Sequence, residues 1–281
     1  MTADELDRTL RQLRLGGMAD TLNVRAQQAR AEQLGPIDFL SLLVHDETQR
    51  RRDRLLERRM KAANLRDRTS LDSFNWNFNP TIDRTLIFEL LTCRFIEKHE
   101  DVLMLGNAGV GKSRIAQGIA VAAIHGGFSV LYREAHQLFE ELVFADATDE
   151  RADLIAALTD VPLLIIDDLG MRKLPASAAE DLLEIVMRRY ERASTIITSN
   201  RPLEDWPKMF SDTPAVTAFL DRLMHHGHFI QIRGKSYRLH ESTIAAKGRK
   251  ANGGERQTAA SGKLRRPKNF SSQPAPENGR F

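Results

Sequence analysis

The sequence predicts an α/β protein in which a mainly parallel sheet is flanked by helices and preceded by a small all-helical domain. From about Thr81 to Leu239, short β-branched segments alternate with helical patterns, which is typical of parallel strands joined by helices. Residues 1–68 instead carry apolar residues at helical spacing throughout. The predicted strands are Val102–Leu105, Phe128–Tyr132, Leu163–Asp167, Thr195–Ser199 and Phe229–Ile232.

The helical domain is predicted to contain a break and a strongly basic stretch. The break falls at Gly16-Gly17, and Pro36 after Gly35 suits the start of a helix. The stretch from His45 to Leu65 includes the basic residues Arg50, Arg51, Arg52, Arg54, Arg58, Arg59 and Lys61. Taken alone, this pattern favours a solvated helix with i,i+4 ion pairs over a nucleic-acid-binding stripe. The expected pairs are Asp46/Arg50, Glu47/Arg51 and Glu57/Lys61.

Composition divides the chain into a helical domain (1–68), a connector (69–80), an α/β domain (81–242) and a tail (243–281). In the connector, Phe74, Trp76 and Phe78 alternate with asparagines, which suggests an apolar strap on the next domain. The tail is rich in Gly, Ser, Pro and basic residues and has few large apolar ones, so we expect it to be disordered. The net charge is only +3, and its basic part is concentrated in the tail and the basic helix.

Cysteine usage and hydropathy point to a cytoplasmic protein. The one cysteine, Cys93, lies in an apolar helical stretch, so a disulfide within the chain is impossible and a buried thiol is expected. The N-terminus lacks the pattern of a signal peptide, and no apolar run has the length that crosses a bilayer. We therefore expect no membrane partner.

The first predicted strand leads into a complete phosphate-binding motif, G-x-x-x-x-G-K-[ST], and a helical pattern follows it. Glycines let the backbone wrap a phosphate, and the helix N-terminus, the lysine and the hydroxyl complete the site. This motif identifies a nucleoside triphosphate as substrate. The predicted nucleotide-binding residues are Gly106, Asn107, Ala108, Gly109, Val110, Gly111, Lys112, Ser113 and Arg114.

Two later strands end in polar side chains that could complete a hydrolytic site. Asp167 and Asp168 follow an apolar strand, at the edge where open α/β sheets bind ligands. We expect Asp167 to hold Mg²⁺ together with Ser113, and Asp168 to orient the attacking water. Asn200 follows the next strand and could reach the γ-phosphate or the water, although a turn-forming asparagine is an equal alternative.

These motifs together resemble the AAA+ ATPases of the initiator and helicase-loader clade, and more closely the IstB-like ATP-binding proteins. The resemblance extends over residues 1 to about 242, through segments outside the nucleotide site. It implies an ATPase that forms homo-oligomers on double-stranded DNA and presents target DNA to a partner transposase. The segments that carry it are Leu13–Ala19, Arg51–Leu65, Asn75–Pro80, Thr198–Asn200, Leu220–Leu223 and Ser236–Leu239.

The resemblance also assigns roles that the residues alone do not. It makes Arg222 an arginine finger for the ATP of a neighbouring subunit, where the residue alone is equally a surface salt-bridge partner. Arg238 is a weaker candidate for a second sensor. Asp168 departs from general AAA+ usage, since glutamate is more common there, and its shorter side chain suggests slower hydrolysis.

With the resemblance added, DNA binding becomes the preferred interpretation of the basic helix. The predicted DNA-contacting residues are Arg50, Arg51, Arg54, Arg58, Arg59 and Lys61. A replicative helicase loader is the alternative function, and a scaffold that binds ATP without useful turnover is the third. The motif His225-His226-Gly227-His228 is not expected to bind metal, because no cysteine or carboxylate ligand accompanies it in the sequence.

Overall fold

A computed structural model describes residues 2–210 and 212–240. The chain begins with helices α1 (Ala3–Gln12), α2 (Gly16–Ala31) and α3 (Pro36–Ala62). Thr2 and Glu5 form a reciprocal capping box at the start of α1. The predicted break lies just before Gly16, and Pro36 occupies the first turn of α3 as expected. The basic stretch belongs to α3, which is one continuous helix of 27 residues.

The rest of the described chain forms a sheet with helices on both faces. Its strands are β1 (Asp101–Gly106), β2 (Val130–Glu134), β3 (Leu163–Leu169), β4 (Ser194–Ser199) and β5 (Gly227–Ile232). All pairings are parallel, in the order β2-β3-β4-β1-β5. The helices are α4 (Arg84–Leu91), α5 (Arg94–Glu97), α6 (Lys112–His125), α7 (Ala135–Ala147), α8 (Arg151–Asp160), α9 (Ala178–Arg189), α10 (Trp206–Met209) and α11 (Thr213–His225). The predicted fold class is confirmed.

The two faces of the sheet belong to two apolar clusters, because side chains alternate along each strand. On β1, Val102 and Met104 pack into the cluster that contains α6, whereas Leu103 and Leu105 pack into the cluster that contains α9 and α11. Both faces are therefore covered, as parallel sheets require. All five parallel strands consequently end at one edge of the sheet, and the loops at that edge form the candidate site.

The segment between α3 and α4 lies against the first cluster. Phe74 and Trp76 are partly buried there, with ring centroids 4.7 Å apart. Leu71 is buried against Gly118, where a Cβ atom would collide with the leucine side chain. Before this segment, the backbone carbonyl of Ala63 accepts a hydrogen bond of 3.0 Å from the N–H of Tyr132, on the outer strand β2. The apolar strap that the aromatic residues suggested is thus present in the structure.

Other sequence-based expectations have mixed outcomes. Cys93 is buried as predicted, and burial raises the pKa of its thiol to about 11, but it lies at a break between α4 and α5 with a φ of 63°. No helix within 2–210 and 212–240 could span a membrane. The chain divides into one compact unit that ends at Ser236 and a second that begins at Tyr237. The predicted tail, 243–281, lies outside the described residues, and the boundaries at 68, 80 and 242 stay predictions.

Candidate functional site

The predicted phosphate loop connects the end of β1 to the start of α6, at the carboxyl edge of the sheet. Gly111 precedes the helix with a φ of 113°, and the Phe74 ring lies 3.1 Å from where its Cβ would be. Gly106 has a φ of 156°, and a Cβ there would collide with the carbonyl oxygen of Ile232. Only glycine suits these two positions. The loop therefore has the tight backbone that phosphate binding requires.

Lys112 turns back into this loop rather than out to solvent. Its side chain is only 4% exposed, and Nζ donates hydrogen bonds to the carbonyl oxygens of Gly106 at 2.8 Å and Asn107 at 3.0 Å. The ammonium group thus lies among the groups that would surround a bound phosphate. Ser113 follows at the first turn of α6 and is half-buried.

Asp167 lies on β3 and is 1% exposed. Its Oδ2 accepts a hydrogen bond of 2.6 Å from the Tyr132 hydroxyl on β2, and its Oδ1 accepts one from the Thr198 hydroxyl on β4. Both neighbouring strands therefore hold this carboxylate. Burial and the charge of Asp167 raise the pKa of Tyr132, so its hydroxyl stays a proton donor.

Asp168 has an unusual backbone conformation. Its φ is 57°, in the left-handed region, and the register between β3 and β4 shifts between Ile166 and Leu169. The Asp168 N–H leaves the regular ladder and donates to the Thr198 hydroxyl at 3.0 Å. Such a bulge re-aims a side chain and is common beside active sites. The predicted strand ends at Asp167, whereas β3 continues through the bulge to Leu169.

Asn200 comes directly after β4, at the same edge. Its Oδ1 atom is buried and has no hydrogen-bond partner among the described residues. A buried amide oxygen without a partner costs on the order of 1–3 kcal/mol, so its retention calls for an explanation such as a ligand or a water. This observation favours the predicted contact with the γ-phosphate or the attacking water over the simple turn.

Two further polar residues of this edge were missed in the sequence. Glu134 ends β2 in register with Asp167, is 5% exposed, and forms an ion pair with Arg66 while His136 lies 3.5 Å away. Asn79 is 3% exposed and donates to the carbonyl of Val110 in the phosphate loop at 3.0 Å. Glu134 belongs to no short motif, and its position at a strand end offered only a weak signal, whereas Asn79 lies in the Asn75–Pro80 segment of the resemblance without a role assigned to it.

Asn79 and Arg114 both join the connector to the nucleotide site. Asn79 also bonds the segment after β5, where its Oδ1 accepts from the N–H of Lys235 at 3.2 Å. Arg114 donates to the carbonyls of Thr69 and Ser70, and its Nε lies 3.2 Å from a carboxylate oxygen of Asp67. The Arg114 side chain, which was predicted to contact the nucleotide, is therefore already bonded to the connector.

The basic residues of α3 differ in whether they form ion pairs within the chain. Arg51 pairs with Glu47 at 2.6 Å and Lys61 with Glu57 at 2.8 Å, as the i,i+4 spacing predicted. The predicted Asp46/Arg50 pair is wrong, because both side chains turn towards α2. Arg25 pairs with Asp46 at 2.7 Å and holds the pKa of that carboxyl below its usual range, while Arg50 lies 3.1 Å from Asp20.

Two of the α3 residues predicted to contact DNA, Arg54 and Arg58, are exposed and form no ion pair with any of the described residues. Arg59 is only half-exposed. An exposed guanidinium that is not paired within the chain can bind phosphate without first breaking an ion pair. Arg54 and Arg58 are therefore better placed than Arg50 to contact DNA phosphates.

Arg222 lies in the last turn of α11, far from its own phosphate loop. The helix leads into Gly227, which pairs with Asp101 at the amino end of β1, whereas the loop begins at the carboxyl end. About 17 Å of strand separates these two ends, at roughly 3.3 Å per residue. The guanidinium is 42% exposed and lies 5.3 Å from the centre of the Tyr190 ring.

The neighbouring histidines have partners that the sequence did not reveal. His225 Nδ1 lies 2.8 Å from the Tyr190 hydroxyl, and His228 bonds Glu100 at 2.9 Å. Glu191 approaches His225 and His226 closely enough that the three could share an ion, although all are exposed. The expectation that no carboxylate accompanies these histidines is therefore wrong. Glu191 is distant from them in sequence but lies beside them in space.

Arg238 belongs to the second unit, so its sensor role stays a prediction.

Comparisons with known proteins identify the family to which the chain is similar. Residues 8–245 match the family described as IstB-like ATP binding protein. A relative from Geobacillus stearothermophilus, named as an ATP-binding protein of insertion sequence IS5376, is 33% identical over 232 residues, or 83% of this chain and 92% of that protein. A relative from Pseudomonas aeruginosa, named likewise for insertion sequence IS21, is 34% identical over 241 residues, or 86% of this chain and 91% of that protein.

Similar solved structures extend the comparison to the fold. The crystal structure of DnaI has a TM-score of 0.51 at 22% identity and covers 59% of this chain and 91% of that chain. The DnaC helicase loader has a TM-score of 0.50 at 19% identity, over 62% of this chain and 98% of that chain. AMPPCP-bound DnaA from Aquifex aeolicus has a TM-score of 0.51 at 18% identity, over 60% of this chain and 51% of that chain. The fold is thus that of an AAA+ phosphate-loop ATPase.

Proposed function

Because the chain belongs to the family of IstB-like ATP-binding proteins, we propose that it is an ATP-dependent helper of DNA transposition. It oligomerises on duplex DNA, hydrolyses ATP, and delivers target DNA to the transposase of the same element. The observation that carries this proposal is the extent of the family match, residues 8–245, which includes the second half of α1 as well as α2, α3 and the ATPase fold. A helicase loader shares the fold but has no such support from the family.

The phosphate loop would hold ATP, and Lys112 would contact its β- and γ-phosphates. Ser113 and Asp167 would hold Mg²⁺, because a hydroxyl and a carboxylate are the oxygen ligands that this ion prefers. The fixed orientation of Asp167 and the unpartnered oxygen of Asn200 fit a site that is completed by its ligands. Bound Mg²⁺ would neutralise charge on the phosphates.

Hydrolysis requires a water aligned with the γ-phosphate. Asp168 orients this water and accepts its hydrogen bond as the water oxygen bonds to phosphorus and the bond to the leaving ADP breaks. The bulge supports this role, since it turns the Asp168 side chain away from the position that a regular strand residue would take. The Asn200 amide contributes a second polar contact at the same edge.

The position of Arg222 supports a role in a neighbouring subunit. The α11 helix ends at the amino end of β1, and the length of that strand is greater than that of an arginine side chain, which favours a contact with the nucleotide of another subunit. The exposed guanidinium lies over Tyr190 and 3.4 Å from a carboxylate oxygen of Asp221, and it would exchange this exposed ion pair for a contact with another protomer. It would stabilise the charge that develops on the transferred phosphoryl group. Each ATP site is then complete only within an oligomer.

The test is assembly of the full chain on duplex DNA, measured by sedimentation and electron microscopy with ATP, ADP and no nucleotide. We expect large complexes with ATP and DNA that weaken as salt rises. Replacement of both Arg54 and Arg58 by alanine should reduce the slope of log affinity against log salt by about 0.9 per lost phosphate contact. Replacement of both Arg51 and Lys61, which are ion-paired, is the matched control and should change the slope less.

The partner is tested separately by adding either a transposase or a replicative hexameric helicase. We expect the ATP-bound complex to stimulate strand transfer by the transposase of the same element. Loading of the helicase onto DNA, without an effect on strand transfer, would instead establish the loader. DNA binding that does not respond to salt or nucleotide would refute the proposed function.

A further inference from the structure

The Asp167 carboxylate is held from both sides by hydroxyl groups that belong to no nucleotide-binding motif. We propose that Tyr132 and Thr198 are positioning residues that orient Asp167 towards Mg²⁺ and fix the backbone of Asp168. This inference rests on the proposed ATPase function and adds two residues to it. Both hydroxyls act through the aspartates.

The orientation of Asp167 is determined by which oxygen each hydroxyl bonds. Tyr132 donates to Oδ2 at 2.6 Å from the outer strand β2, and Thr198 donates to Oδ1 from β4. Opposed donors on the two oxygens prevent rotation of the carboxylate about its Cβ–Cγ bond. Each oxygen keeps a second lone pair, so these hydrogen bonds leave the carboxylate able to bind an ion or its water ligands.

Thr198 also links the two aspartates. Its hydroxyl donates to Asp167 and accepts the backbone N–H of Asp168 at 3.0 Å. That N–H lies within the bulge, where the register between β3 and β4 shifts. A single hydroxyl thus orients the side chain of Asp167 and secures the left-handed conformation of Asp168.

The surroundings favour a role beyond filling the core. Tyr132 is 2% exposed and Thr198 is 0% exposed, so both hydroxyls need partners, but each could have bonded a backbone carbonyl instead. Both instead converge on one carboxylate at the ligand-binding edge of the sheet. Residues that hold a metal ligand in this way change metal affinity about 10- to 100-fold when they are removed.

The experiment measures how Mg²⁺ enhances binding of a fluorescent ATP analogue to the full-length protein. Tyr132→Phe and Thr198→Val each remove one hydroxyl with little change in shape, and Thr198→Ser restores the second one. We expect the Mg²⁺ concentration at half-maximal enhancement to rise about 10-fold or more in the first two variants. Thr198→Ser should stay close to the wild type. Binding in EDTA should be the same for all of them.

Thr195→Val is the matched control for a purely structural effect. Thr195 lies on the same strand, and its buried hydroxyl accepts a hydrogen bond of 3.0 Å from Arg189 Nε, near the other end of the sheet. We expect this variant to unfold more easily while its Mg²⁺ dependence stays unchanged. Should Thr198→Val fail to fold, Tyr132→Phe and Thr198→Ser still decide the matter.

The outcomes separate the two proposals. If the wild-type protein does not bind ATP, or if its affinity for ATP does not depend on Mg²⁺, the proposed function itself is refuted. A wild type that responds to Mg²⁺ while Tyr132→Phe and Thr198→Val respond identically to it would refute only the positioning role. The same holds if Thr195→Val shifts the Mg²⁺ dependence as far as the other two.

Discussion

The left-handed backbone of Asp168 leads to a stability prediction that is independent of the role proposed for this residue in hydrolysis. At a φ of 57°, a Cβ atom costs roughly 1–2 kcal/mol through its clash with the carbonyl oxygen, and glycine avoids this cost. We compare Asp168→Ala with Asp168→Gly, because both lose the same carboxylate. The greater freedom of glycine in the unfolded chain offsets about 0.4–1 kcal/mol. Asp168→Gly should therefore be more stable than Asp168→Ala by about 1 kcal/mol.

Urea unfolding at 25 °C is the direct measurement, with the midpoint compared at equal slope. Thermal unfolding should separate the same pair by about 2–4 °C, the shift per kcal/mol for domains of this size. Ala157→Gly on the exposed face of α8 is the control, since its backbone is helical and glycine should there be less stable by roughly 0.5–1 kcal/mol. The two alanine/glycine pairs should thus differ in sign.

Equal stability of the two Asp168 variants, or greater stability of Asp168→Ala, would show that residue 168 does not adopt the left-handed conformation in solution. The bulge could then not be the reason that Asp168 leaves the strand direction. Both variants should bind ATP and lose turnover equally, because each lacks the carboxylate that we propose orients the water. A difference in turnover between them would show that backbone strain, and not the carboxylate alone, affects the rate.

Three further predictions concern single side chains. Lys112→Ala should lose ATP binding, measured by fluorescence, and retained affinity would contradict the role of the loop. Arg222→Ala should bind ATP but lose turnover about 10³-fold or more; a mixture with Lys112→Ala should regain activity if the finger acts between subunits, and no recovery would refute this. Burial raises the pKa of Asp101 to about 7, even though it accepts the N–H of Thr195. Because its pKa is raised in the folded state, the stabilising contribution of Asp101 is complete below about pH 4 and is lost by pH 7. The free energies of unfolding of Asp101→Asn and the wild type, measured with urea, should therefore diverge by about 4 kcal/mol between pH 4 and pH 7. A difference that stays constant over this range would contradict the prediction.

Much of the nucleotide-binding edge could be predicted because its chemistry is local in sequence. The phosphate loop is a contiguous motif, and Asp167 and Asn200 follow apolar β-branched stretches whose strand character is clear from composition. Parallel strands end at one edge, so these polar residues had to lie near one another. The five strands were predicted for the same reason.

Contacts between distant segments could not be predicted in this way. Tyr132 resembles any aromatic residue of a buried strand until β2 is known to lie beside β3. Asp46 was assigned to Arg50 because i,i+4 spacing is visible in the sequence, whereas its actual partner, Arg25, comes from another helix. Arg114 follows the phosphate motif directly, and only the path of the connector explains why its guanidinium is bonded there.

The hydrogen bond between Ala63 and Tyr132 has a consequence for attempts to divide the chain. β2 is an edge strand, and edge strands with free N–H groups pair with other chains and aggregate. The Ala63 carbonyl, directly after α3, accepts a hydrogen bond from one of these N–H groups, that of Tyr132. Leu56 and Met60 of α3 pack on the adjoining core. Removal of the helices would uncover both a sheet edge and apolar surface. A fragment that begins after residue 68 should therefore self-associate through β2, and this association would be unrelated to the proposed assembly on DNA.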